Sequence, residues 1–166
     1  MMHFFILLDR LSGRLLNILA VITSLILIVL ILSLVVARYI LGWSVVGVMD
    51  LVIIAAMWLY MTGAMIASRK NEHLVVDFVY QQLSSERARA MHRMMIGIGT
   101  SIVCIFFIVW SWKMLSWGMR RPQTTPGLSI PLWLPQAAIM LAAVTCFAYA
   151  VRDTVQGFLQ LKSGEK

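Results

Sequence analysis

Charge is scarce in this chain: 13% of its 166 residues are Asp, Glu, Lys or Arg, and 61% are hydrophobic. A soluble domain is about a quarter charged and about half apolar, so the composition excludes an ordinary soluble fold and points to the membrane. Cysteine is almost missing. Cys104 and Cys146 both lie deep in apolar runs and no CxxC pair exists. That excludes a periplasmic disulfide framework and leaves two thiols acting as small hydrophobes. Proline occurs four times, at 122, 126, 131 and 135, so none interrupts a long apolar run at its middle. The three histidines, His3, His73 and His92, fall outside those runs. A four-helix haem anchor needs axial histidines inside its helices, and a disulfide-generating oxidase needs periplasmic cysteine pairs, so neither fits. No HExxH, GxSxG or Walker pattern, internal repeat or low-complexity stretch occurs, and the chain does not read as an enzyme.

What is present is organised by the few charges. From Leu15 to Ala37 there is none. At about 1.5 Å per residue that run measures roughly 35 Å, enough to cross a hydrocarbon core of about 30 Å with some tilt. Similar runs extend over about 48–68, 94–113 and 131–151. Pro131 and Pro135 fall at the start and in the first turn of the last, where a missing N–H costs least. The segment Phe4–Leu8 is too short for a signal-peptide core and the long run after it has no A-x-A site, so it reads as a retained first span. The expectation is an all-α membrane protein, one domain over 1–166 with four transmembrane helices.

Four spans put both termini on one side. That side carries Arg10, Arg14, Arg69, Lys70, Arg87, Arg89, Arg93, Arg152, Lys162 and Lys166; the other carries Arg38, Lys113, Arg120 and Arg121. Ten against four places both termini in the cytoplasm. The net charge of +7 is therefore read as basic loops beside anionic lipid rather than as a nucleic-acid surface. Trp43, Trp110, Trp112, Trp117 and Trp133 fall toward the opposite face, with Trp58 in mid-span. Tryptophan favours the headgroup zone because its ring is apolar and its N–H wants a partner.

Two segments outside the spans are amphipathic. Phe4, Leu7, Leu8, Leu11 and Leu15 form a stripe over about 3–14; Leu74, Val75, Phe78, Val79 and Leu83 form another over about 73–90. Each fits a helix lying in the cytoplasmic interface, or an extension of the neighbouring span.

Asp50 is the oddest residue, an acid in a stretch otherwise uncharged from Tyr39 to Ser68. At mid-bilayer it would cost about 2.5–3.5 kcal/mol, so it needs a partner, water or an interfacial position. Counting back from Arg69 puts it at the periplasmic end, where Arg38 is the nearest cation along the chain. An Arg38–Asp50 pair is expected, within the chain or across a subunit contact; ion coupling is the functional alternative. His73 and Asp77, four apart, share one helix face. A metal would need further ligands, so a local His–Asp hydrogen bond orienting the loop toward lipid or a partner is the plainer reading. Gly63, Ala64, Ala67 and Ser68, with Gly97 and Ser101, make small-xxx-small pairs of the kind that let helices approach in lipid. Transporter cores break helices near the midplane to expose backbone groups; these spans are unbroken, which suits a scaffold.

The chain resembles the small membrane subunit of tripartite ATP-independent periplasmic (TRAP) transporters, the DctQ-type family, from about Asn17 to Gly157. The marks are Arg38-Tyr39 closing span one, the acid Asp50 opening span two, Trp58, Gly63-Ala64, then Glu72-His73-Leu74-Val75-Val76-Asp77 after Arg69-Lys70, and Thr125 through Ile130-Pro131-Leu132-Trp133 leading into span four. The family usually has Glu where this chain has Asp50, a side chain one methylene longer, so the partner of this acid is left open. The resemblance implies a non-catalytic scaffold in the bacterial inner membrane that binds no cofactor itself. It would brace a large elevator-type subunit, which carries the sodium and substrate sites, and serve a periplasmic substrate-binding protein in the import of carboxylates such as C4-dicarboxylates or sialic acids. Arg38, Asp50, Gly63, Ala67, His73, Asp77, Arg120, Arg121 and Trp133 are the expected subunit or lipid contacts, and the rim with Lys113, Arg120 and Arg121 is a candidate contact for the binding protein. The rival readings are a stand-alone proton-coupled exporter using Asp50 and an anchor subunit of another complex.

Overall fold

In a computed structural model of the chain, residues 2–43, 45–70 and 86–163 are described. They form four helices: α1 (Met2–Tyr39), α2 (Val46–Arg69), α3 (Glu86–Arg120) and α4 (Trp133–Ser163). All four are long and apolar enough to cross a membrane, over Ser12–Tyr39, Val46–Arg69, Met94–Arg120 and Trp133–Leu159. The expected all-α, four-span architecture is therefore what the chain adopts. Residues 3–14 are helical but run straight into the first span, so that α1 is one helix of 38 residues, about 57 Å long. Nothing in 3–14 breaks a helix, and the extension is the alternative realised. Most of the central segment expected as an interfacial helix, 73–85 with His73 and Asp77, lies outside the described residues; its last part, from Glu86, opens α3.

The ends follow from local chemistry. Gly42 at φ 68° turns the chain out of α1, and the Trp43 N–H returns to the Ala37 carbonyl at 2.9 Å. A residue without Cβ adopts that backbone at least cost. At the start of α2, Val45 provides no side-chain cap. Pro135 sits in the first turn of α4, where its missing N–H would have had no intrahelical partner.

The helices alternate up and down and lie side by side. α1 packs on α2, α2 on α4, and α4 on α3, giving the spatial order α1–α2–α4–α3 rather than a closed ring. α4 is the inner member of both hairpins' contact, and its side chains explain why. Ala138, Ala142, Ala143 and Ala150 are all buried. Hydrocarbon offers no hydrophobic driving force between apolar helices, so close backbone approach through small residues does the work. Gly97 lies against the backbone of Thr154, where a Cβ would come 3.0 Å from its N. Gly118 faces Gln136 at the other end of that seam, and the Ser111 Oγ lies 3.1 Å from the Met140 Sδ between them. On α2 the buried face is Thr62, Met65 and Ser68. Gly63 points away, with nothing within 4 Å of the position its Cβ would take. α1 contributes least, its residues from Leu15 to Val36 being largely exposed apolar surface.

The same contacts set depth. Cys146 meets the Ala64 carbonyl at 3.9 Å and Arg152 meets the Arg69 carbonyl at 3.1 Å, so α2 and α4 run parallel. Projected through Met140 and Ser111, Trp58 lies level with Trp110 and Trp112. It therefore does not stand alone in mid-span. Trp117 is about 9 Å further along α3, near the level of Trp133, and the tryptophans of α2, α3 and α4 form two tiers.

Candidate functional site

The most elaborate polar construction joins the start of α2 to the α3–α4 connection, residues 121–132. This connection contains three of the four prolines and no helix. It is nevertheless closely hydrogen-bonded. Thr124 and Pro131 form an isolated antiparallel bridge. The Thr125 N–H donates to the Ile130 carbonyl at 2.9 Å, the Ser129 N–H to the Thr125 carbonyl at 3.1 Å, and the Leu132 N–H to the Gln123 carbonyl at 2.9 Å. The Thr125 hydroxyl oxygen accepts from the Ile130 N–H at 3.1 Å. Ser129 adopts φ 53°, a left-handed conformation uncommon outside glycine.

Asp50 lies beneath this loop and is 7% exposed. Its Oδ2 accepts the N–H groups of Gly127 at 2.9 Å and Leu128 at 3.0 Å. A buried carboxylate demands such donors, and hydrogen bonds to an ionised acceptor are the stronger kind. Two glycines make the approach possible. A Cβ on Gly127 would come 2.7 Å from the Gly47 Cα, and one on Gly47 would come 2.8 Å from the Leu128 Cγ. The chain thus withdraws the acid from solvent and uses it to seat a loop.

Arg38 is exposed, and no ion pair joins it to Asp50 among the described residues. Loop backbone takes up the carboxylate instead, because two convergent N–H groups satisfy it without desolvating a guanidinium. Arg120 and Arg121 stand exposed at the root of the same loop, and Trp133 at its far end is 41% exposed. Lys113 lies over the Trp110 ring, 5.4 Å from its centroid. Ala67 is half-buried on α2 and Gly63 is outward-facing. His73 and Asp77 lie outside the described residues. No group of three metal-ligating side chains occurs among the described residues.

The opposite end is tied differently. Arg152 on α4 donates through Nη2 to the Arg69 carbonyl at the end of α2 and through Nε to Asp153 at 3.0 Å, and its guanidinium lies 4.8 Å from the Tyr149 ring centroid. The Arg69 guanidinium packs against Gly13 of α1. Ser12 and Tyr149 share a hydrogen bond of 3.2 Å. This cluster joins α1, α2 and α4, and residue spacing alone did not suggest it, since Arg152 and Tyr149 read simply as the end of a span.

The family model for the tripartite ATP-independent periplasmic transporters, DctQ component, matches residues 27–160. The match runs from within α1 to near the end of α4 and takes in the whole Asp50–loop assembly. No curated protein matches the chain.

Proposed function

The chain belongs to the family of DctQ components of tripartite ATP-independent periplasmic transporters, and from that premise we propose that it is the stationary brace of a sodium-coupled importer of organic anions. A large membrane subunit moves substrate by an elevator motion and holds the sodium ions, a soluble periplasmic protein delivers a carboxylate, and this multi-pass chain holds the large subunit in register in the inner membrane with both termini in the cytoplasm.

The observation that carries this reading is the open row of four unbroken helices. α1 is one continuous helix whose apolar residues from Leu15 to Val36 are largely exposed, and Gly63 of α2 faces outward. Such a row offers long flat flanks to a neighbour, and small outward residues admit close helix approach. A substrate carrier would need discontinuous helices at mid-depth. The proton-coupled exporter is weakened by the position of Asp50, which sits in the first turns of α2 with its Oδ2 already taken by two N–H donors.

The test is purification of the tagged chain in mild detergent, followed by reconstitution. A much larger, many-span protein should co-purify, and uptake of a C4-dicarboxylate or a sialic acid should require that protein, the binding protein and an inward sodium gradient. Transport by the lone chain in liposomes would overturn the proposal.

A further inference from the structure

We propose that the 121–132 loop, with Arg120 and Arg121 at its root, is a pre-shaped docking ridge for an acidic face of the soluble substrate-binding protein, and that Asp50 is the positioning residue that keeps the ridge in shape. This rests on the transporter reading above and names which part of the chain meets the periplasmic partner.

Charge is the first argument. Among the described residues Asp50 is the single acid at this end; Asp9, Glu86 and Asp153 lie toward the other. Asp50 is buried under the loop, so the exposed charges at this end are the cations Arg38, Lys113, Arg120 and Arg121. A surface of one sign steers a partner of the other sign and raises the rate of encounter.

Shape is the second. Attraction to lipid headgroups needs only a cation at a helix end, and Arg38 in the last turn of α1 already supplies one. The loop goes further. It fixes its backbone with three internal backbone hydrogen bonds, two of which make the Thr124–Pro131 bridge, with the Thr125 hydroxyl, a left-handed Ser129 and a glycine-to-glycine contact with α2. Pro122, Gln123, Thr124, Pro126, Leu128 and Ser129 are left exposed along it. A surface ordered before contact loses less entropy on binding, which is useful when the partner has a shape to match. Backbone strain of the Ser129 kind persists where surroundings hold it, and here the Asp50 bonds to Gly127 and Leu128 do the holding.

The experiment uses the complete small–large subunit complex in proteoliposomes, with the purified binding protein titrated at low and at high salt. In the wild type, uptake should saturate with binding protein, and the apparent KM for that protein should rise with ionic strength, since steering between exposed charges is screened. The double variant Arg120→Glu with Arg121→Glu should raise that KM about tenfold or more at low salt and flatten its salt dependence. The rate at saturating binding protein and the co-purification of the large subunit should hold. Asp50→Ala should raise the KM in the same way, and Asp50→Glu should restore much of it. Arg14→Glu, at the opposite end, should change neither.

An unchanged KM in the double-arginine variant overturns the proposal, and this variant decides alone if Asp50→Ala does not assemble. Loss of the large subunit from the double-arginine variant overturns it as well, assigning the ridge to that subunit. An effect confined to vesicles containing anionic lipid, with the binding-protein dependence intact, assigns the arginines to lipid and overturns it too. Failure of the transporter reading looks different: wild-type uptake would then not depend on the binding protein at all.

Discussion

The two ends of the α2–α4 seam solve one problem in opposite ways. At the loop end, a buried anion gathers backbone N–H groups from a segment 77 residues away. At the far end, a half-exposed cation, Arg152, reaches the last carbonyl of α2 and shares its charge with Asp153 and the Tyr149 ring. The first arrangement specifies a loop conformation, because Oδ2 fixes two consecutive N–H groups. The second closes a helix C-terminus, where several side chains could serve and water competes. Burial and convergence make the loop end the more exacting of the two.

That contrast can be broken by substitution in the purified chain, read as thermal unfolding in detergent. Asp50→Ala should give the greatest loss of stability at either end, because it strands two N–H groups under the loop. Asp50→Asn, which keeps one acceptor oxygen without the charge, should fall between it and wild type. Gly127→Ala comes next, at about 1–3 kcal/mol, because its new methyl meets the Gly47 backbone, which cannot rotate away. At the other end, Arg152→Ala should cost about 1 kcal/mol, in the range for a cation at a helix C-terminus. A larger effect there than at Asp50 would reverse the ranking of the two ends. Tyr149→Phe removes one partly buried hydrogen bond and should cost under about 1 kcal/mol. Gly63→Leu should leave the isolated chain within about 0.5 kcal/mol of wild type, since open space surrounds that position. Its expected effect is on co-purification of the large subunit, and unaltered co-purification would remove the Gly63 side of α2 from the proposed brace surface.

Much of this was legible in the residues. The spacing of charges announced four spans, and the distance from Asp50 to Arg69 placed the acid at a helix end rather than at mid-depth. The partner was not legible. Arg38 was the nearest opposite charge along the chain, whereas the groups that satisfy Asp50 are N–H donors of Gly127 and Leu128, which carry no side-chain signature. The Thr125–Pro131 stretch and the acid opening span two stood apart as separate family marks, and the fold brings them into one assembly. Small residues carried only part of the packing inside the chain: Ser68 and Gly97 lie in it, while Gly63 faces outward. Gly63 and Ala67 had the spacing of a packing face, yet the seam closes on the alanines of α4 and on Thr62, Met65 and Ser68.

The sequence by itself determined that this protein is a bundle of four membrane-crossing helices, because the exclusion of charge from hydrocarbon is a one-dimensional constraint written along the chain. Which helix touches which was decided only by the tertiary structure. In lipid, the face that meets solvent and the face that meets another helix are both apolar, so periodicity cannot tell them apart. The row α1–α2–α4–α3, and the seating of one loop on one carboxylate, depend on shape and on backbone donors, and neither is visible until the chain is folded.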